Sequence, residues 1–242
     1  MRSSNLVFRR LRNMDFDDAS YEVATYSGVA KKTFIYMLVT ILSAFGGIFL
    51  GKYVSSTLYL SLIIASALTT FIFGILSLWI PRASKICGII YCAGEGILVG
   101  FISMAYASVS QGIVPAALLS TFMVFGVVVT LFVTNIVKVT NKFRRFALTF
   151  AISFVISYLI IYLLLWLTGS EFSTPITLLV CLGSTFLASI FILLDLDAVR
   201  MIVESGAPKE YEWYAAFGLA YTLIWLYIEI LRLATIIFGR RN

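Results

Sequence analysis

The composition of this chain excludes an ordinary soluble protein. Of its 242 residues, 61% are hydrophobic and only 12% are charged, with a net charge of +6, whereas a typical soluble domain has about 25% charged residues. The chain contains no histidine, which excludes a zinc HExxH site and a serine–histidine protease, and we expect no enzymatic activity. Its basic residues are dispersed rather than gathered with stacking aromatics, so we expect no nucleic-acid partner.

Seven apolar runs occupy most of the chain, and each is long enough to cross a ~30 Å hydrocarbon core as a helix. In chain order, the predicted spans cover residues 33–50, 56–80, 86–107, 114–136, 146–168, 176–198 and 213–238. No linker rich in Pro, Gly or Ser divides them, so we expect one transmembrane bundle over residues 33–238. A polar, basic segment, residues 1–32, precedes it. The sequence therefore predicts an all-α, polytopic membrane protein.

The distribution of Lys and Arg predicts the orientation, because these residues are retained on the cytoplasmic side. With a cytoplasmic N-terminus, fourteen of the eighteen basic residues lie in cytoplasmic segments. We expect a multi-pass protein of the cytoplasmic membrane, held against anionic lipid. The four remaining basic residues are Lys52, Arg232, Arg240 and Arg241. Because three of them lie in or after the last span, a final helix that returns its tail to the cytoplasm is an open alternative.

Small residues in the third span predict close helix packing, since they let two backbones approach. They recur every four residues and so form one stripe, made up of Gly88, Cys92, Gly96 and Gly100. Glu95 is about 100° from this small-residue stripe and should border the contact. All three cysteines fall inside predicted spans with neither a disulfide framework nor CxxC spacing, so we expect Cys87, Cys92 and Cys181 to be packing residues.

Four acidic residues lie within the predicted spans, where a charge costs about 2.5–3.5 kcal/mol on insertion scales. They are Glu95, Asp195, Asp197 and Glu229. Such groups are usually paired, hydrated or neutral. Something must therefore make each of these charges either tolerable or useful.

Local spacing separates these acids. Asp197 can reach Arg200 at i+3 and is expected in a solvated interfacial pair. Asp195, about 200° around the helix from Asp197, should point into the bundle and have a functional role. Glu95 has no basic residue in its own span and is expected in an ion or proton pathway, with a protonated, hydrogen-bonded packing residue as the alternative.

Glu229 has a basic residue, Arg232, three positions later on the same face. A self-neutralised pair and a functional acid are equally open for this position. The sequence also leaves open whether Glu95 and Glu229 are in contact.

Two motifs connect the chain with a known family. ILLDLDAVR, residues 192–200, closes the sixth span, and YIEILRL, residues 227–233, lies in the last. With seven short-looped spans, the chain resembles the transmembrane Bax inhibitor motif (Bax inhibitor-1-like) family in its bacterial branch, over roughly residues 30–238. The resemblance implies two three-helix layers, that is, six helices around a central C-terminal helix. It also implies a bacterial inner-membrane location and pH-sensitive leakage of calcium with cytoprotection.

The resemblance further implies a proton-sensing pair of aspartates, one closing the sixth helix and one early in the seventh. Asp195 matches the first, but the second falls at or near Thr222, where there is no acid. Arg82 and Lys85 are the candidate basic partners of Asp195. Relative to the family pattern Glu95 and Glu229 are additional acids, and we hypothesise that the proton-responsive carboxylates have been relocated.

The leading functional hypothesis is a pH-sensitive cation leak channel, with calcium as the favoured ion. Asp195 would gate the cytoplasmic end while Glu95 and Glu229 line the inner path, and Asp195 and Glu95 would be the metal contacts, because carboxylate oxygens suit calcium. No resident cofactor is expected.

Two alternatives stay open. One is a proton-coupled transporter. The other is an interaction protein that regulates membrane proteases or stress signalling through residues 1–32. The expected partners are membrane lipid, cations, protons and a possible membrane protein, with the chain a monomer or weak homo-oligomer.

Overall fold

The protein is a bundle of long α-helices. The computed structural model describes residues 22–108, 112–169 and 173–238, which contain seven long helices and no β-strand. The helices are α1 Tyr26–Tyr53, α2 Ser56–Trp79, α3 Ser84–Ala107, α4 Ile113–Val133, α5 Asn141–Thr168, α6 Thr174–Glu204 and α7 Tyr211–Phe238. All seven are long and apolar enough to cross a membrane. The predicted all-α, seven-span architecture is confirmed.

The first helix starts earlier than the apolar run predicts. The side chain of Thr25 caps α1 by accepting a hydrogen bond from the backbone N–H of Gly28 at 3.0 Å, so residues 26–32 are helical rather than part of the polar segment. An apolar run marks only the part of a helix inside hydrocarbon, whereas the capping residue sets where the helix begins. Residues 1–21, and with them most of the expected docking segment, lie outside the described residues.

The C-terminal helix α7 lies at the centre of the bundle. It contacts α1, α2, α3, α4 and α6, and its fully buried Ala216 and Ala220 let neighbouring helices approach closely. The first three helices form one layer and α4, α5 and α6 the other, with α5 packed against α6 on the outside. The described residues of α5 include one buried side chain, that of Ala147, so most of this helix is available to lipid.

The small-residue stripe of α3 packs against α1. A Cβ atom at Gly96 would overlap the carbonyl oxygen of Thr40, and one at Gly100 would overlap that of Ala44. Gly47 of α1 makes the reciprocal approach, since a Cβ there would lie 2.7 Å from the carbonyl oxygen of Ile97. Of the other two members of the stripe, Cys92 has a fully buried side chain and Gly88 lies beneath the hydroxyl of Tyr36. This contact fixes the rotation of α3 and thereby turns Glu95 towards α7.

A turn at residues 205–208 carries the chain from α6 into α7. Gly206 has φ of +66°, in the left-handed region, where glycine has no steric penalty. Val23, ahead of α1, then pairs with Pro208 in an isolated antiparallel bridge. The start of α7 is thus tied to the start of α1.

Candidate functional site

Acidic side chains from several helices reach α7 at different levels. We call the end of the bundle at which α1, α3, α5 and α7 begin the N-proximal end. Glu212 of α7 lies at this end. Asp195 of α6 and Glu95 of α3 approach the middle of α7, and Glu229 of α7 lies beyond them.

Asp195 of α6 is hydrogen-bonded to α7. The hydroxyl of Thr222 donates to Oδ2 of Asp195 at 2.5 Å and also lies 3.1 Å from the carbonyl oxygen of Gly218. A Cβ atom at Gly218 would lie 3.5 Å from Oδ1 of Asp195, and Tyr214 is also near. Asp195 therefore contacts Thr222, the position at which the family resemblance places the second aspartate. In this chain that position is a threonine.

The expected basic partners of Asp195 are elsewhere. In the described residues, neither Arg82 nor Lys85 is within ion-pair distance of Asp195. Nε of Arg82 is 3.6 Å from an oxygen of the exposed Glu210, and the ammonium of Lys85 is 5.7 Å from the ring centroid of Trp213. Trp213 precedes Thr222 by nine residues, or about 14 Å of helix, so the assignment of Arg82 and Lys85 as partners of Asp195 is wrong for this conformation.

Glu95 of α3 faces α7 near the level of Asp195. It is half-buried and lies close to Tyr91, one turn earlier, and to Tyr221 of α7. The rings of those two tyrosines are 5.8 Å apart. Among the described residues Glu95 has neither an ion-pair partner nor a hydrogen-bond partner for its side chain.

Glu229 and Arg232 form the ion pair that their spacing indicates. Nη1 of Arg232 is 3.5 Å from Oε2 of the buried Glu229, and Oε2 has no hydrogen-bond partner within the described ranges. Its Oε1 accepts from Nε1 of Trp225 at 3.3 Å. Arg232 also lies near Tyr106 and Cys181.

Glu95 and Glu229 are not in contact. Glu95 meets α7 at Tyr221, and Glu229 follows eight residues later, which is about 12 Å along the helix. Trp225 lies between these levels. The two acids therefore form successive positions rather than one site.

Asp197 has a different partner from the expected one. It is buried and accepts a hydrogen bond from Arg144 of α5, while Arg200 donates to Glu204 at 2.9 Å. The expected solvated Asp197–Arg200 pair is therefore wrong. Sequence spacing finds partners on the same helix, whereas Arg144 is 53 residues away in the chain.

Glu212 is a buried acid that the sequence interpretation missed. Its side chain is only 1% exposed and is paired with Lys32 across the bundle, with Nζ 2.5 Å from Oε2. The apolar pattern puts Lys32 in the polar N-terminal segment and Glu212 just outside the last span. An acid in the first turn of a helix is the one local signal that could have drawn attention to it.

One face of α7 stays accessible along the length of the helix. Its residues are partly exposed, in contrast to the mostly buried remainder of α7, and they are Tyr214, Gly218, Tyr221, Trp225, Ile228 and Arg232. This accessible stripe lies between α6, where Phe191 packs on Trp225 at 5.8 Å, and α3, which supplies Glu95. Asp195 and Glu95 border the stripe, and Glu229 adjoins its far end.

These acids approach the central helix separately rather than as one cluster. The described ranges contain no cluster of three His, Cys, Asp or Glu side chains that could hold a metal ion. Asp195 and Glu95 approach α7 from different helices. The arrangement suits brief contacts with a moving cation better than one closed coordination shell.

The fold and these acids define a polytopic membrane protein with ionisable groups along a central helix. The sequence profile of the family described as Bax inhibitor 1 like matches residues 5–239. The chain belongs to this family, as its motifs predict. A search of the curated proteins finds no match.

Proposed function

We propose that this protein is a pH-sensitive cation leak channel, with calcium as the favoured ion. The accessible stripe of α7, bordered by Asp195 and Glu95 and ending beside Glu229, is the observation that carries this proposal. In the proposed orientation the N-proximal end faces the cytoplasm and the protein lies in the cytoplasmic membrane of a bacterium.

The chemistry of the stripe favours cations. Pairs or rings of carboxylates attract cations to a pore, and oxygen ligands suit the hard calcium ion. Asp195 and Glu95 meet α7 at adjacent residues, Thr222 and Tyr221, and Glu229 follows about 12 Å further on. A cation moving along α7 would therefore meet acidic oxygens at the level of Tyr221 and Thr222, and the Glu229–Arg232 ion pair at the far end.

Proton binding supplies the proposed pH sensitivity. Asp195 faces Thr222 and Tyr214, and Glu95 faces Tyr91 and Tyr221. No lysine or arginine of the described residues is within ion-pair distance of either acid. Protonation is thus the available means of removing their charge when no cation is present, since an isolated charge in hydrocarbon is costly.

The seven helices give no particular support to the transporter alternative. Broken helices would favour alternating access, whereas each helix is continuous over the described residues. Flux that saturates with solute and follows an imposed proton gradient would select a transporter over a leak.

The test of this function is calcium release from liposomes that contain the purified protein and an entrapped calcium indicator. We expect Glu95→Gln to slow the leak by roughly tenfold, the factor that ~1.4 kcal/mol of lost cation attraction gives. Glu204→Gln is the matched control, because Glu204 is exposed and paired with Arg200. Unchanged flux in Glu95→Gln would remove Glu95 from the pathway.

A further inference from the structure

The backbone ahead of α1 is fastened to the loop between α6 and α7. The N–H of Ala24 donates to the carbonyl of Ala207, and the N–H of Lys209 to that of Glu22, each at 2.8 Å. Val23 and Pro208 face each other between these two hydrogen bonds. Two short extended segments that lie near opposite ends of the sequence are thus hydrogen-bonded to each other.

A buried ion pair lies beneath this backbone contact. Glu212 accepts hydrogen bonds from Nζ of Lys32 at 2.5 Å and from the backbone N–H of Thr25 at 2.8 Å. The hydroxyl of Thr25 is a third donor, at 3.1 Å. Any Cβ atom at Gly28 would overlap the Glu212 carboxyl group. The start of α1 is therefore shaped around this carboxylate.

Aromatic packing extends the contact to α3. The ring of Trp213 is flanked by two ammonium groups, with Lys32 at 5.2 Å and Lys85 at 5.7 Å from its centroid, and cations are attracted to the face of an indole ring. Tyr36 of α1 packs edge-on against Trp213 at 5.5 Å and against Phe217 at 6.1 Å. Helices α1, α3 and α7 thus meet in one layer at the N-proximal end.

An exposed ion pair between Lys209 and Glu22 lies beside this contact. Lys209 donates to Glu22, and that hydrogen bond raises the pKa of Lys209 above its ordinary value. A lysine whose pKa is raised by folding contributes stabilisation that is fully present below its unfolded-state pKa of about 10.4. That stabilisation is lost only as pH rises through its folded-state pKa. Lys209 therefore keeps its charge between pH 5 and 8.

We propose that these groups form an N-terminal clamp that closes the N-proximal end of the ion pathway, and that conduction requires the clamp to separate. The clamp consists of residues 22–25 and 207–209 with the side chains of Lys32, Glu212 and Trp213. The accessible stripe begins at Tyr214, one residue after Trp213, so the clamp and the N-proximal end of the stripe lie at the same level of α7. The inference rests on the proposed function, for which it names the closing element.

A reversible cross-link between positions 23 and 208 tests the clamp directly. Facing residues flanked by ladder hydrogen bonds in this way have Cα atoms about 4.5 Å apart, within the 4.4–6.8 Å range that a disulfide spans. We expect Val23→Cys/Pro208→Cys to leak at least roughly tenfold more slowly when oxidised than after reduction of the same liposomes, a factor equivalent to ~1.4 kcal/mol. The wild-type protein treated with the same oxidant is the control, since its Cys87, Cys92 and Cys181 are buried.

The outcomes separate the clamp from the proposed function. Cross-linked protein that leaks as fast as reduced protein overturns the clamp, and so does a cysteine pair that forms no disulfide under mild oxidation. A wild-type protein that releases no calcium instead overturns the proposed function, and the clamp with it.

Charge variants give an independent measurement. Glu212→Gln and Lys32→Met should each raise the leak rate several-fold. A merely structural pair would lower the amount of folded protein without raising the flux per folded molecule. That result would contradict the clamp.

Discussion

Asp195 and Asp197 are two residues apart on α6 and meet different helices. Asp195 accepts a hydrogen bond from Thr222 of α7, and Asp197 accepts one from Arg144 of α5. Helical periodicity predicts that the two acids point in different directions. It does not identify Arg144, because the choice between a local and a distant partner depends on how α5 and α6 pack.

The Asp197–Arg144 pair gives a stability prediction at the scale of single residues. Removing one partner of a buried pair typically costs 3–5 kcal/mol, and we expect roughly 2 kcal/mol for Arg144→Met, because Arg144 is 25% exposed. The readout is the midpoint of thermal unfolding in detergent. Arg200→Met is the control, since the Arg200–Glu204 pair is exposed and such pairs contribute about 0.2–1 kcal/mol. Equal losses in the two variants would contradict a structural role for Asp197.

Thr222→Asp tests the geometry around Asp195. It would place a second carboxyl group within hydrogen-bond distance of the first, and two such groups repel each other when both are ionised. We therefore expect this variant to lose thermal stability relative to wild type as pH rises from 5 to 8. Thr222→Asn, which cannot ionise, should show no such loss. A flat profile for Thr222→Asp would mean that residues 195 and 222 are not neighbours.

At the scale of helices, the face of α3 that packs closely was readable from the sequence, but its partner α1 was not. A four-residue repeat of small side chains predicts a close contact, and Gly96 and Gly100 lie against backbone carbonyls of α1. The start of α1 was not readable in the same way. The apolar pattern ends where the membrane does, whereas the helix continues to its cap at Thr25.

Gly96→Ala tests the α1–α3 contact. Its new methyl group would overlap the carbonyl oxygen of Thr40, and overpacking of this kind costs about 1–3 kcal/mol. Gly46→Ala is the matched control, because a Cβ atom there has no neighbour within 4 Å, and alanine is a better helix former than glycine by about 1 kcal/mol. We expect a lower unfolding midpoint for Gly96→Ala and an unchanged or higher one for Gly46→Ala. The reverse order would exclude the tight contact.

For the whole molecule, the seven-helix architecture follows from the solvent. Hydrocarbon provides no hydrogen-bond partners, so a spanning segment must satisfy its own backbone, and long apolar helices do so. The family motifs supplied the central position of the last helix. Neither the apolar pattern nor the family motifs predict the accessible stripe of α7, because its exposure depends on the gap between α3 and α6. They also do not predict the Lys32–Glu212 pair, whose members are 180 residues apart.

The account rests on a cation path along α7 whose acids respond to protons. The most direct test is the rate of calcium release from liposomes between pH 5 and 8, for the wild-type protein and for Asp195→Asn. We expect the wild-type rate to change over this range and the Asp195→Asn rate to change less, because an amide cannot bind or lose a proton and only Glu95 then remains to respond. Release no faster than from protein-free liposomes, or a pH response retained in full by Asp195→Asn, would contradict the account.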